Sequence, residues 1–148
     1  MHASQMAEEF PVVAMDSDAL EAARLLADRR LPGIVVTDPS GCPCSVLPAS
    51  QVVRFLVPTY VQDDPSLAGV LSESMADRVA DKLAGKTVKA LLPAENSELP
   101  TVHADDTIVE VAALMARLRS PLVAVLAGRE LVGVITASRL LELALNPR

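Results

Sequence analysis

The chain contains few aromatic residues. They make up 2% of its 148 residues, and tryptophan is absent. Proteins that bind single-stranded nucleic acids or sugars commonly stack the ligand on aromatic rings, so this composition argues against both classes. The hydrophobic fraction is nevertheless 51%, which is enough for a core built from aliphatic side chains and argues against disorder.

Basic residues are also outnumbered. The chain has 13 Lys and Arg against 19 Asp and Glu, which gives a net charge of −6. A broad phosphate-binding surface needs clustered basic residues, so we expect no DNA or RNA partner. No apolar run approaches the roughly 18–20 residues needed to span a bilayer, and residues 1–9 lack the pattern of a secretory signal. We therefore expect no membrane insertion.

Cysteines are scarce as well. Cys42 and Cys44 are the only two, and with only Pro43 between them they are poorly placed to pair with each other. A zinc site needs about four ligands, whereas the two histidines, His2 and His103, are distant in sequence. The sequence therefore predicts free thiols, no metal site and a reducing, cytoplasmic location.

The chain contains an internal repeat. Residues 11–27 align with residues 100–116 at one constant spacing, and a one-residue gap in a later turn extends the alignment through Ser50 and Ser138. Preserved order and spacing over such a length indicate a duplicated structural unit. The identical pairs include Pro11 and Pro100, Asp16 and Asp105, Glu21 and Glu110, Pro32 and Pro121, and Val46 and Val134.

Each repeat predicts a βαββα unit. Asp and Thr residues mark the start of its first helix, apolar residues follow at helical spacing, and a proline ends that helix. β-branched runs on either side of a turn then predict a hairpin. Neither unit can bury much apolar surface alone, so we expect the two to pack sheet to sheet. The predicted strands are 12–15, 34–37 and 46–47, then 102–104, 123–126 and 131–135; the closing helices are 49–56 and 137–145.

The segment between the repeats has its own pattern. Residues 67–84 show helical spacing and Gly85 is a plausible helix stop, so they predict a helical linker. Residues 86–92 then form a short lead-in to the second repeat. The predicted organisation is a first repeat with its N-terminal lead-in (1–58), a helical linker (59–85) and a second repeat (86–148).

This arrangement resembles a tandem pair of cystathionine-β-synthase-type (CBS) domains, also called a Bateman module. The more specific residues lie in the second copy, in segments 87–92, 109–115 and 131–136. The resemblance implies an α/β (α+β) fold in which two βαββα repeats pack through their sheets with pseudo-two-fold symmetry. It also implies a non-enzymatic regulatory module that forms a homodimer and binds an adenine nucleotide (AMP, ADP or ATP) between the repeats.

The family's ligand motif is a Gly, two hydrophobic residues, a Thr or Ser, two variable residues and an Asp. In the second copy Gly133 and Thr136 match, but Arg139 replaces the Asp. Arginine has no acceptor for ribose hydroxyls, although it can pair with a phosphate or carboxylate. The first copy departs further, because its corresponding residues are Ser45, Pro48 and Gln51.

The candidate ligand-binding residues each have a structural alternative. The Thr136 hydroxyl can contact phosphate, cap the final helix, or do both. Arg139 can be solvated, Gly133 can be a close-packing point, and the others can belong to strand edges or the core. No motif supports a catalytic role for His103 or for the carboxylates at the helix starts, so no catalytic residue is predicted. The candidates implied by the resemblance are Thr136, Arg139, Gly133, Pro121, Leu122, Thr101, Val102 and Ser120.

Two interpretations of function remain. The first is a ligand sensor that modulates a separately encoded partner, such as a transporter or an enzyme. The second is a ligand-free dimerisation or scaffold module with degenerate clefts, which the loss of Asp from both motifs supports.

Overall fold

The computed structural model contains two three-stranded sheets with helices around them. It describes residues 1–57, 62–66, 79–93 and 99–146. The strands are β1 (Val12–Ala14), β2 (Gly33–Thr37), β3 (Pro43–Pro48), β4 (Thr101–His103), β5 (Leu122–Ala127) and β6 (Glu130–Thr136). The helices of the described residues are α1 (Ala3–Met6), α2 (Ala19–Asp28), α3 (Ala49–Leu56), α4 (Val79–Leu83), α5 (Val88–Leu91), α6 (Ile108–Leu118) and α7 (Ala137–Leu145).

The two sheets share one topology. In each, the first strand runs parallel to the middle strand and the third strand runs antiparallel to it. Val35 pairs with Val46 in the first sheet, and Ala124 pairs with Val134 at the corresponding position of the second. Each hairpin also contains a register shift at the same place. The predicted βαββα duplication is therefore confirmed.

The long helix of each half begins at the predicted residues and ends, at Asp28 and Leu118, a few residues before the predicted proline. Asp18 Oδ1 accepts a hydrogen bond from Leu20 N at 3.3 Å, and Thr107 Oγ1 accepts one from Glu110 N at 3.3 Å. These caps satisfy amide groups that have no partner within the helix. At the other end, Arg30 and Arg119 adopt left-handed backbone with φ of 52° and 50°.

The two sheets pack directly against each other. Val35 and Val46 from the first half form one buried cluster with Leu122 and Val134 from the second. Each of the four is at most 5% exposed. Burial of aliphatic side chains on both sheets stabilises the pairing of the halves, as predicted from their small size.

Two short helices are exchanged between the halves. α1 buries Ala3 and Met6 in the core of the second half, whereas α5 buries Val88 and Leu91 in the core of the first. The predicted lead-in to the second repeat, residues 86–92, therefore packs on the first half through α5. Helical spacing shows which residues of a short helix are apolar but not which core accepts them. The predicted division of the chain after residues 58 and 85 stays a prediction. α5 follows residue 85 in sequence and yet packs on the core of the first half.

Backbone hydrogen bonds hold each exchanged helix in the same way. Ala3 N donates to Asp106 O at 2.8 Å, and Val88 N donates to Ser17 O at 2.9 Å. The exchange is thus part of the pseudo-symmetry of the molecule.

The linker is described only in part. Of the predicted helix at 67–84, residues 79–83 are helical, and residues 67–78 lie outside the described residues. Gly85 follows with φ of 74°, in agreement with its predicted role as a helix stop. Within the described ranges, no helix has the length and apolar character that crossing a membrane requires.

Candidate functional site

A cleft of about 650 Å³ lies where the two halves meet. We call it the Arg117 cleft. Val46 and Pro48 of β3 form one side, and Thr101 of β4 with Arg117 and Ser120 at the end of α6 forms the other. Because its walls come from both halves, a ligand bound there would contact the first and the second repeat at once.

A second cleft, of about 590 Å³, occupies the corresponding position. We call it the Arg29 cleft. Segment 9–12 and Arg29 line it from the first half, and segment 131–133 lines it from the second. Both clefts combine the first strand and long helix of one half with the last strand of the other.

The two clefts differ in charge. Arg117 and Arg119 line the first, and no carboxylate is among the described residues around it. Both arginines are exposed, and within the described part of the chain neither has an ion-pair partner. The second cleft combines Arg29 with Glu9. In a protein of net charge −6, the described charged side chains around the Arg117 cleft are therefore both positive.

Three of the predicted ligand-binding residues lie together. Thr101, Ser120 and Pro121 all line the Arg117 cleft. The Ser120 hydroxyl also donates to Leu122 O at 2.6 Å, which fixes the turn into β5. Their proximity agrees with the resemblance, but their contact with a ligand stays a prediction.

The other predicted residues are elsewhere. Val102 and Leu122 are buried, at 4% and 0% exposed, in hydrophobic clusters. Gly133 lines the Arg29 cleft. Thr136 and Arg139 are not among the described residues that line either cleft. The full set implied by the resemblance therefore does not converge on one cleft.

Thr136 caps the last helix. Its Oγ1 accepts a hydrogen bond from Arg139 N at 3.1 Å and lies 3.2 Å from Ser138 Oγ. The side chain is only 6% exposed. This geometry matches the N-cap alternative for Thr136, and any role in ligand binding stays a prediction.

Arg139 contacts the N-terminal segment and its own helix. Its Nη1 forms an ion pair with Glu142 Oε1 at 2.9 Å, and its Nε donates to Met6 O at 3.4 Å. The guanidinium therefore already has partners within the chain.

The first-copy motif provides no ribose acceptor like that of the family. Pro48 has no hydroxyl, although it lines the Arg117 cleft. Gln51 Nε2 donates to Leu91 O at 3.2 Å and so ties α3 to α5. Ser45 is buried in β3. These positions thus carry none of the Gly, Thr or Asp residues of the family motif.

The cysteines are both free, with Cys42 exposed and Cys44 half-buried. Burial raises the pKa of the Cys44 thiol, and the charge of Asp38 raises it further. Hydrogen bonds from the Ser40 side chain and then from the Cys42 backbone lower the pKa of Asp38. Among the described residues, no group of three or more His, Cys, Asp or Glu side chains is arranged to hold a metal ion.

Arg117 and Arg119 were not predicted as site residues. The available signal was their position, since both come at the end of the predicted helix and immediately before Ser120 and Pro121. Charged residues at the end of a helix are usually solvated, and only the folded arrangement places these two beside a cleft.

Comparisons with known proteins agree with this architecture. The family model described as CBS domain matches residues 88–146. A comparison with curated proteins finds no match. The crystal structure of a CBS domain-containing protein of unknown function from Kribbella flavida is 68% identical, with 99% of each chain covered and a TM-score of 0.86.

More distant solved structures share the fold. CBSX2 from Arabidopsis thaliana is 18% identical, with 97% of this chain and 94% of that chain covered and a TM-score of 0.72. A structure of CBSX2 in complex with AMP is 16% identical, with 97% and 96% covered and a TM-score of 0.69. Together with the Kribbella flavida relative, the duplicated fold establishes that the chain belongs to the CBS-domain family.

Proposed function

We propose that the chain is a ligand-sensing regulatory module that binds an adenine nucleotide, or a related small anion, in the Arg117 cleft. The observation that carries this proposal is the pair of exposed arginines, Arg117 and Arg119, on a cleft shared by both halves. A guanidinium pairs well with phosphate oxygens. The AMP complex of CBSX2 supports the choice of nucleotides as the first ligands to test.

The proposed mechanism is differential binding. A ligand that contacts β3 of the first half and the end of α6 in the second would favour one relative arrangement of the halves. It can shift that equilibrium only by the difference in its affinity for the two arrangements. The change would then be passed to a separately encoded partner, such as a transporter or an enzyme.

We propose a regulatory role in preference to a catalytic one. The described polar side chains around the Arg117 cleft are two guanidinium groups and two hydroxyls. Such groups bind anions, whereas general acid–base catalysis mostly uses histidine or carboxylates. The two free thiols support a reducing, cytoplasmic location.

A homodimer is part of the same proposal. α6 and α7 of the second half expose Val109, Leu141 and Leu145, which are 72%, 58% and 75% accessible. Exposed aliphatic side chains on neighbouring helices commonly mark a protein interface. A second copy of the chain is the partner that we propose for this surface.

The alternative function is a ligand-free scaffold. It is favoured by the engagement of Thr136 in a helix cap and of Arg139 with Glu142 and Met6. In that case dimerisation itself would be the function, and the clefts would be remnants of ancestral ligand sites.

Calorimetry and thermal-shift assays with AMP, ADP, ATP, S-adenosylmethionine and NAD distinguish the two functions. The sensor predicts saturable binding that Arg117→Gln weakens, whereas Arg29→Gln, in the other cleft, leaves it unchanged. Absence of binding by all five ligands at millimolar concentration would contradict the sensor and support the scaffold.

A further inference from the structure

The described residues around the Arg117 cleft include no acidic group that could hold a ribose. Ribose hydroxyls are commonly held by an acidic acceptor, and no Asp or Glu is among the described residues around this cleft. At the motif positions of β3 and α3, Pro48 has no hydroxyl and the Gln51 amide donates to Leu91 O. A ribose placed here would therefore find no carboxylate acceptor among the described lining residues.

The same cleft offers little to a purine base. Its described apolar lining consists of aliphatic side chains and prolines, and no aromatic ring is among them. Stacking on an aromatic ring is a common source of affinity for a base. The contribution of adenine to binding should accordingly be small.

Groups that recognise phosphate are present. Arg117 and Arg119 are exposed on the cleft, and the described residues give neither an ion-pair partner. Each guanidinium presents a planar fork of donors that fits two phosphate oxygens. Two guanidinium groups on one cleft can pair with more phosphate oxygens than one group can, which favours an anion with several phosphate groups.

We propose that the Arg117 cleft recognises a phosphate chain and that the nucleoside contributes little, so that its ligand class is compact polyphosphate anions. This inference rests on the proposed function, since it assigns the chemistry of the ligand at the same cleft. It differs from nucleotide sensing in a measurable way, because an inorganic polyphosphate should bind without any nucleoside.

The test is isothermal titration calorimetry of the full chain with sodium tripolyphosphate, ATP, AMP and adenosine in a magnesium-free buffer. Tripolyphosphate and ATP should bind within about tenfold of each other, AMP about tenfold or more weakly than ATP, and adenosine should not bind. Higher salt should weaken the binding of both polyphosphates, because exposed charges are screened.

Variants of the lining arginines test whether the polyphosphates bind in this cleft. Arg117→Gln and Arg119→Gln should each weaken tripolyphosphate and ATP by about tenfold or more, while Arg29→Gln leaves both unchanged. All three arginines are exposed, and circular dichroism of each variant checks that it is folded.

Two results would overturn the inference and leave the proposed function standing. The first is that ATP binds but tripolyphosphate does not. The second is that adenosine binds with an affinity close to that of ATP. Equal weakening by Arg29→Gln would also overturn it, since the site would then not be specific to the Arg117 cleft. If none of the four compounds binds, the inference fails, and the proposed function is then decided by the other ligands of the screen, ADP, S-adenosylmethionine and NAD.

Discussion

Glu8 and Val134 exchange two backbone hydrogen bonds, at 2.9 Å from Glu8 N to Val134 O and at 2.8 Å from Val134 N to Glu8 O. The N-terminal segment thus adds a short pairing to the edge of β6. A Cβ atom on the neighbouring Gly133 would lie 2.7 Å from Glu8 O, closer than real contacts allow. The approach of this segment accounts for glycine at position 133.

Substitution of that glycine should loosen the N-terminal segment. Gly133→Ala should lower the free energy of unfolding by about 1–3 kcal/mol, because the added methyl group collides with backbone that cannot move freely. Val132→Ala, at an exposed neighbour on the same strand, should change it by about 0.5 kcal/mol or less. Urea unfolding of both variants measures the difference, and equal effects would contradict the role of this contact.

The exchanged helix α1 should contribute to the stability of the second half. Met6 is fully buried in that core, so Met6→Ala should cost about 2–5 kcal/mol through lost burial and a residual cavity. Ser4→Ala, at an exposed residue of the same helix, is the matched control and should have little effect. Hydrogen exchange should show the increased opening of the Met6 variant mainly in β4–β6, and an effect confined to residues 1–9 would contradict the exchange.

Thr136 should act as a helix cap. Thr136→Ala removes the acceptor for Arg139 N and should lower the free energy of unfolding by about 0.5–2 kcal/mol. Thr136→Ser keeps a hydroxyl at that position and should retain most of the stability, as measured by thermal unfolding.

Ligand titration of the same variants separates capping from binding. Because Thr136 is not among the described residues lining the Arg117 cleft, Thr136→Ala should leave the affinity of any ligand of that cleft nearly unchanged. A large loss of affinity in a folded Thr136→Ala protein would instead show that the hydroxyl contacts the ligand, as the family motif implies.

The two thiols should differ in reactivity. The thiolate is the reactive form, and burial together with the nearby Asp38 raises the pKa of Cys44, so its thiolate fraction near pH 8 is reduced. Cys42 is exposed and should react with iodoacetamide faster, while the reaction of Cys44 should need higher pH. Mass spectrometry of timed alkylation measures both rates, with Cys42→Ser and Cys44→Ser as controls. Faster alkylation of Cys44 at pH 8 would contradict the assignment.

The sequence predicted the fold because the duplication is visible in residues with local structural roles. Asp18 and Thr107 cap helices in either copy, and Val46 and Val134 occupy the same register in their sheets. Because a helix cap or a strand position depends on residues close by in sequence, both copies keep the same residues at the same spacing. That shared spacing can be recognised in the sequence.

The exchange of α1 and α5 and the charge of the cleft could not be predicted in the same way. Met6 and Leu91 are apolar residues of short helices, and nothing in their local sequence specifies which half will bury them. Arg117 and Arg119 come together with Val46 and Pro48 only after the two sheets have packed. Both features are tertiary, and periodicity carries no information about them.

The exchange of α1 and α5 has a consequence for synthesis on the ribosome. The first half cannot complete its core until Val88 and Leu91 have left the exit tunnel, and Ala3 and Met6 must wait for a core whose last residues are made near the end of translation. Folding one half at a time during translation, as separate domains often do, is therefore disfavoured. We expect a nascent chain halted after residue 57 to stay sensitive to protease, and protection to develop only when almost the whole polypeptide is free.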